Sequence, residues 1–427
     1  MRGVTRGTGL GLLAFGLAVL GAGTAAASPL DLFGFGGRSP AMAGTGVSTA
    51  TGFDAAWLNP AGLADVQRKR VTFGYMYGDF ALNFDGVDTG TDPVQGLVFG
   101  GALPIPLGGF MHDRVGLGLG FHVPPKAINR ARHPFPGDPV YELLETRGHV
   151  VGIQAAIGVA VTDWLRVGFG VQSLATLDGT IHVSTDAAGR FTSKSEQELI
   201  TRFAPLIGAR MRGPTRNTQL GLVMRGEAKT AYQIVVTNDL IKTLPLTVPT
   251  LTIGGTSQFD PLTVAGELAW EATGDVRVEA QLAWQNWSAY PLPTVNPVMN
   301  DPPQEPPNFH DIVVPRLGVQ WMLLRDREKG VALRGGYAFV ATPAPEMTGR
   351  QSMLDNSRHI LSAGLGVQLP GSTVPLHLDV WMQLHLLVPR RHTKDLSNFG
   401  PDDVLPFYTI QTGGHIVVGG ATLGVDI

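Results

Sequence analysis

Segments in which apolar and polar residues strictly alternate recur along most of this chain, and the gaps between them are alternately short and long. In residues 276–285, every even position is apolar and every odd position is polar or small. The same alternation runs through residues 115–123, 165–171, 317–323, 331–339, 361–369 and 376–386. Because side chains of a β-strand point to opposite faces with a period of two, each segment predicts a strand with one apolar and one polar face.

The gaps decide between the two all-β folds that this pattern allows, a secreted sandwich and a membrane barrel. Short connections lie at residues 162–163, 273–275, 326–329 and 370–373. Long connections lie at residues 124–148, 177–198, 237–258, 290–310, 342–357 and 389–412. Short and long connections take turns, as in outer-membrane barrels with short periplasmic turns and longer extracellular loops. We therefore predict an all-β fold, a transmembrane antiparallel up-and-down β-barrel of about 14 strands, over residues 70–427.

Composition and the first residues agree with an exported membrane protein. The formal net charge of -3 gives no reason to expect nucleic acid as a partner, and the absence of cysteine excludes disulfides and thiolate metal sites. Residues 1–27 have the pattern of a cleaved signal peptide, with basic Arg2 and Arg6, an apolar run at 10–20 and a small-residue end at 25–27. We expect localisation in the bacterial outer membrane.

The barrel fixes which faces meet lipid and which meet the lumen. An arginine on the lipid face near the midplane costs ~2–4 kcal/mol, so Arg166, Arg277 and Arg334 are predicted to point inward. Aromatic residues near strand ends suit interfacial girdles, with ordinary packing as the alternative: Tyr75, Tyr77, Trp284 and Trp287.

Residues 28–69, before the first strand, differ from the rest of the chain. Small residues there permit close packing, and Asn59-Pro60-Ala61 is a turn signal. Disordered leaders are poor in aromatic and branched residues, whereas this segment carries Phe33, Phe35, Phe53, Trp57 and Leu58. We predict an ordered element inside the barrel, which we call the hatch.

Several motifs, in order along the mature chain, resemble the FadL/TodX family of outer-membrane long-chain fatty acid and hydrocarbon transporters. They are Phe-Gly-Phe-Gly at 33–36, Ala-Met-Ala-Gly at 41–44, Asn-Pro-Ala-Gly-Leu at 59–63, Trp-Gln-Asn-Trp-Ser at 284–288, Leu-Arg-Gly-Gly-Tyr-Ala at 333–338, Thr-Pro-Ala-Pro at 342–345 and Ser-Arg-His at 357–359. The resemblance implies a 14-stranded barrel with an N-terminal hatch that carries the Asn-Pro-Ala turn. It also implies that an apolar ligand moves from an extracellular groove to a lumenal pocket and leaves sideways, past a kinked third strand.

The third predicted strand, residues 114–123, has an unusual lumenal face. This face reads Gly116, Gly118, Gly120 and His122, and two prolines end the strand. A run of glycines weakens a strand and admits a bend. We predict a lateral-gate strand with a kink near residues 118–122; the alternative is a close approach of the hatch to this wall.

Candidate ligand contacts follow from the chemistry of a fatty acid, an apolar tail with one carboxylate. For the tail, the candidates are Leu30, Leu32, Phe33 and Phe35, with hatch packing as the alternative. For the carboxylate, the candidates are Arg166, Arg277, Arg316 and Arg334, because guanidinium pairs bidentately with carboxylate. The alternative for each arginine is structural pairing with Glu279, Asp379 or hatch acids.

The leading functional hypothesis is passive uptake of hydrophobic compounds, long-chain fatty acids first, with lateral release into the membrane. The alternatives are a hydrocarbon or aromatic uptake channel, a general porin, a structural or adhesive barrel, and an outer-membrane hydrolase. The hydrolase would use the lumenal residues His377, Asp379 and His385, which lie on one strand face with Gln383, but no serine nucleophile is visible beside them. We expect no enzyme, cofactor or metal; the expected partners are a hydrophobic small molecule, outer-membrane lipid and the outer-membrane assembly machinery.

Overall fold

The computed structural model describes residues 29–125, 138–145, 151–185, 191–238, 251–292, 294–295, 305–325, 329–369, 374–401 and 405–427. The predicted signal peptide and Ser28 lie outside the described residues. Helices are short: α1 is Pro29–Phe33, α2 is Ala55–Leu58 and α3 is Glu142–Glu145. In the described part of the chain, no helix has the length and apolar character needed to cross a bilayer.

Fourteen antiparallel strands form a closed barrel within the described residues, which confirms the predicted fold. They are β1 Arg70–Phe84, β2 Val94–Pro104, β3 Val115–Val123, β4 Gly152–Ala160, β5 Leu165–Thr185, β6 Phe191–Arg212, β7 Thr218–Arg225, β8 Thr263–Glu271, β9 Val276–Gln285, β10 Ile312–Arg325, β11 Gly330–Val340, β12 Arg358–Leu369, β13 Leu376–Leu387 and β14 Thr409–Asp426. β1 pairs with β14 from Arg70↔Asp426 to Phe84↔Thr412, and this pairing closes the ring. The remaining strands are Val87–Asp88, Ala228–Asn238, Leu251–Asp260, Thr294–Val295 and Arg390–Thr393.

The two faces of the barrel wall separate as the alternation predicts. On the outer face, Leu317 and Trp321 are 46% and 51% exposed, whereas Glu279 and Gln281 on the inner face are 0% and 4% exposed. The predicted girdle residues Tyr75, Tyr77 and Trp284 face outward. The girdle prediction is wrong for Trp287, which is buried beneath the long loops and donates its indole N–H to Gln285 Oε1 at 3.0 Å.

The described parts of two predicted long loops, 177–198 and 237–258, are strands, which corrects the sequence prediction. β5 and β6 stay paired far beyond the common barrel height, up to Thr185↔Phe191. Ala228–Asn238 and Leu251–Asp260 form a second hairpin, and residues 177–183 of β5 pair with residues 232–238 in parallel. A projecting strand edge is stabilised when another strand covers it, so these ladders extend where loops were expected.

The hatch lies inside the barrel. Besides α1 and α2 it contains two 3₁₀ turns, Pro40–Met42 and Pro60–Asp65. Its contacts extend around the inner face of the wall, from Phe80 on β1 and Gly100 on β2 to Gln383 on β13 and Thr422 on β14. We refer to the two ends of the barrel as the short-turn end, where β1 begins and β14 ends, and the long-loop end.

Candidate functional site

A ring of inward-facing glycines seats the hatch against the main chain of the wall. A Cβ added to Gly168 would lie 2.2 Å from the carbonyl carbon of Pro60, and one added to Gly208 would lie 1.9 Å from Oδ1 of Asn59. Both distances are far shorter than van der Waals contact, so only glycine fits at these positions. An added Cβ would also fall under 3.0 Å from the hatch at Gly116, Gly118, Gly120, Gly158, Gly221, Gly318, Gly336 and Gly364.

One carboxylate of the wall holds a turn of the hatch. Glu267 on β8 accepts hydrogen bonds from the backbone N–H groups of Gly46, Val47 and Ser48 at 2.7, 3.1 and 2.9 Å, and from the Ser48 hydroxyl. Three successive N–H groups that converge on one anion form a nest, and hydrogen bonds to a charged acceptor are stronger than neutral ones. Glu267 therefore anchors the hatch to the β7–β9 side of the wall.

The Asn59-Pro60-Ala61 turn is a second anchor. Asn59 Oδ1 accepts from the Ala61 N–H at 3.1 Å and so starts the 3₁₀ turn Pro60–Asp65. Its Nδ2 donates to the carbonyl oxygens of Val47 at 2.8 Å and Ala209 at 3.0 Å. The amide thus ties two parts of the hatch to each other and to β6.

The predicted kink in the third strand is not accompanied by any break in its pairing. β3 pairs with β2 and with β4 in continuous register through its glycines. The lumenal glycines instead make room for the hatch: a Cβ at Gly116 would lie 2.0 Å from the Leu63 carbonyl oxygen, and one at Gly120 would lie 2.7 Å from the Phe35 ring. The glycine face therefore accommodates the close approach of the hatch, which was the alternative interpretation.

The hatch begins with α1, which reaches toward the long-loop end. Proline at the first position suits a helix start, and Gly34, with φ of 87°, ends the helix in the left-handed conformation. The Gly34 N–H donates to the Leu30 carbonyl at 2.9 Å. Three predicted tail contacts lie on this helix and are 1–3% exposed: Leu30, Leu32 and Phe33.

A narrow crevice surrounds α1. It consists of two small cavities of about 20 and 10 Å³, both lined by Asp31, Leu32, Arg316 and Ile360. Pockets for small apolar ligands usually measure ~300–1,000 Å³. Because α1 fills most of this space, a ligand of that size fits here only when the helix leaves.

Two buried guanidiniums line the crevice. Arg316 Nη1 donates to the Ala43 carbonyl at 2.9 Å, and Arg225 lies over the Trp57 ring, 4.9 Å from its centroid. Arg316 was predicted as a carboxylate contact from the sequence, whereas Arg225 was missed. Arg225 shares the inward phase of β7 with Gly221 and Val223, so the same alternation would have placed it in the lumen.

The other predicted contacts lie elsewhere. Arg166, Arg277 and Arg334 point inward as predicted, but they pair with Asp65, Glu271 and Asp379 respectively, toward the short-turn end. Phe35 packs edge-on against Phe53, with ring centroids 5.1 Å apart. The structure therefore brings Leu30, Leu32, Phe33 and Arg316 together and leaves the remaining four apart from them.

A polar chamber lies below the hatch at the short-turn end. It consists of adjoining cavities of about 290 and 370 Å³. On its wall, Asp426 accepts from Arg70 Nε at 2.5 Å and lies 3.2 Å from His377 Nε2, while Asp379 pairs with Arg334. His377 and Asp379 thus contact charged partners, an arrangement that lacks the nucleophile–base pair a hydrolase needs.

The predicted lumenal face of β13 also contains Gln383 and His385. These two side chains help to hold the hatch through hydrogen bonds. Gln383 Nε2 donates to the carbonyls of Phe33 at 3.0 Å and Pro40 at 2.8 Å. His385 Nε2 lies 3.0 Å from Gln383 Oε1 and so orients that amide. Among the described residues, no three His, Asp or Glu side chains are grouped so as to hold a metal ion.

The long-loop end is covered by a cap formed by residues 138–145 and 342–357. The Tyr141 hydroxyl donates to the Asn83 carbonyl at 3.0 Å and accepts from the Gly413 N–H at 2.9 Å. Val140 bridges to Met353, which joins the two segments of the cap. Buried aromatic side chains lie beneath it: Phe259, Trp287, Tyr290 and Phe309.

Docking of the cap is expected to weaken as the pH rises. Burial raises the pKa of Glu142 from 4.5 to about 7, although the hydroxyl of Tyr290, 3.1 Å away, opposes the shift. A docked cap therefore retains a proton that an undocked one loses, and docking weakens by roughly 3 kcal/mol between pH 4.5 and 7. We expect hydrogen exchange in residues 138–145, corrected for intrinsic rates, to be faster at pH 8 than at pH 5.

The control separates Glu142 from its neighbour on α3. Glu142→Gln should remove the pH dependence, whereas Glu145→Gln should retain it. Equal exchange protection of the wild-type cap at both pH values would contradict the assignment.

Three solved barrels are similar to this structure over nearly their whole length. A Pseudomonas aeruginosa FadL homologue aligns with a TM-score of 0.57 and 14% identity, over 95% of this chain and 98% of the other. The Pseudomonas putida toluene transporter TodX gives 0.54 and 14%, over 93% and 99%. The monoaromatic hydrocarbon channel CymD gives 0.54 and 14%, over 93% and 98%. No protein-family model and no curated protein sequence matches the chain.

Proposed function

We propose, on the premise that this chain has the barrel fold of the FadL and TodX transporters, that it mediates passive uptake of hydrophobic compounds across the bacterial outer membrane. Long-chain fatty acids are the first candidates. The observation that carries the proposal is the hatch: Leu30, Leu32 and Phe33 are buried at the level of α1, and the crevice there offers only about 20 and 10 Å³. A general porin would need an open aqueous path at this level.

The lateral-gate strand is part of the proposal. Along the lumenal face of β3, Gly116, Gly118 and Gly120 leave no side chain between the wall and the hatch. Pro124, directly after the strand, has no N–H to extend the ladder. A ligand released from the crevice past His122 would therefore meet the wall beside the proline-terminated end of β3, and would leave sideways into outer-membrane lipid.

Proteoliposome uptake tests the proposal. We expect saturable entry of palmitate and exclusion of glucose by the full mature protein. A variant that lacks residues 28–65 should admit glucose, because the hatch no longer fills the lumen. Glucose entry through the unaltered protein at the rate of palmitate would favour a porin instead.

Uptake of neutral hydrocarbons is the second candidate, because TodX and CymD are described as a toluene transporter and a monoaromatic hydrocarbon channel. The same proteoliposomes discriminate: toluene entry that is saturable and is unaffected by palmitate would favour this reading. Competition by palmitate would favour a shared site with carboxylate preference.

A further inference from the structure

The hatch helix α1 carries one carboxylate on an otherwise apolar surface. Asp31 lies between Leu30, Leu32 and Phe33, whose side chains are nearly completely buried. A single carboxylate on an apolar body is also the chemical description of a long-chain fatty acid. α1 therefore presents to the crevice the same two features that such a ligand would present.

Asp31 lies where two cations meet. Arg225 and Arg316 line one cavity together with Asp31, and Asp31 interacts electrostatically with both. The two guanidiniums repel each other. Gln285 Nε2 also donates to the Asp31 carboxylate at 3.3 Å. The Asp31 carboxylate at this point thus offsets the repulsion between the two guanidiniums, which is strong in a buried site.

Arg316 has donor capacity that the hatch does not use. Its Nη1 donates to the Ala43 carbonyl, whereas its buried Nε has no hydrogen-bond partner in the part of the chain that the structure describes. Arginine presents its donors as a planar fork that matches a carboxylate. A buried donor without a partner costs free energy, and a ligand carboxylate at this place would satisfy it.

We propose that α1 is a built-in surrogate for the ligand: Asp31 holds the headgroup position between Arg225 and Arg316, and a long-chain carboxylate takes that position when α1 leaves. This inference rests on the proposed uptake function and assigns its ligand class. A neutral hydrocarbon that displaced α1 would leave Arg316 without the carboxylate that Asp31 supplies, and would leave Arg225 with Asp260 alone as its acidic neighbour. The pair therefore discriminates against neutral ligands by an unpaired charge.

Competition binding to the full mature protein tests the inference, with palmitate and the neutral analogue hexadecanol as probes. Asp31→Asn keeps the shape of the side chain but removes the charge that holds α1 in place, so palmitate and hexadecanol should both bind about tenfold tighter. Arg316→Gln removes a donor that only a carboxylate can use, so the preference for palmitate over hexadecanol should fall about tenfold. Arg334→Gln, at an inward arginine outside the crevice, is the matched control and should change neither affinity.

The outcomes separate the inference from the function on which it rests. If Asp31→Asn leaves both affinities unchanged, or if Arg316→Gln leaves the preference for palmitate over hexadecanol unchanged, the surrogate role is wrong while uptake stands. If neither probe binds the unaltered protein, both fail. Because Asp31→Asn is conservative, a gain in affinity also shows that the variant is folded.

Discussion

We expect Gly168→Val to displace the hatch from the barrel wall and to raise the ion conductance of the barrel. A Cβ at this position on β5 would lie 2.2 Å from the carbonyl carbon of Pro60 and 2.3 Å from the Ala61 nitrogen, both main-chain atoms of a turn that has no free space behind it. Overpacking of this kind costs ~1–3 kcal/mol or more, so we expect open-channel conductance in planar bilayers to rise at least about tenfold.

The matched control is Gly266→Val on β8. An added Cβ there meets no atom within 4 Å, because the position faces outward. This variant should conduct no more than the unaltered protein. If the two valine variants have equally low conductance, the glycine ring does not hold the hatch in place.

Glu267→Ala should release the hatch from a second position on the wall, three strands from Gly168. The substitution leaves the N–H groups of Gly46, Val47 and Ser48 without their acceptor, and each hydrogen bond to a charged group is worth ~1.5–3 kcal/mol. Arg38 is the single tryptic site in residues 28–67. We expect cleavage after Arg38 to accelerate by about a hundredfold or more in folded protein.

Two further variants distinguish the cause of this release. Glu271→Ala removes an acid of the same strand that pairs with Arg277 and not with the hatch, so cleavage after Arg38 should stay slow. Glu267→Gln retains one acceptor oxygen and should give an intermediate rate. Fast cleavage in Glu271→Ala would mean that the rate reports general loosening of β8.

The barrel was predictable from the sequence because its two faces meet different solvents. A strand between lipid and lumen must alternate, so residues 276–285 were delimited correctly from the pattern alone. The extensions of β5 and β6 were missed since they lie beyond the common barrel height. There, neither solvent imposes alternation, and only pairing with residues 232–238 distinguishes a strand from a loop.

The candidate site was predictable in part. α1 was placed in the lumen through its aromatic and branched residues, and Arg316 through alternation. The partners of the arginines depend on register across the barrel: Arg334 and Asp379 come from strands two apart, and neither sequence neighbourhood contains the other. The glycine ring was also predictable, because its glycines occupy inward-facing positions of the alternation. We interpreted this pattern only on the third strand. Gly168, Gly208 and Gly336 share the inward phase of their own strands.

The contacts between the hatch and the wall constrain the order in which the barrel and the hatch can fold. The hatch precedes every strand in the chain, yet its contacts with the wall extend to β13 and β14, where Gln383 binds the carbonyls of Phe33 and Pro40 and Thr422 lies against Gly37. The seam between β1 and β14 then joins residues more than three hundred positions apart in the chain. A nascent chain that stops before β13 therefore has the hatch but lacks part of the wall that holds it. The hatch can close the lumen only when the last strands are in place.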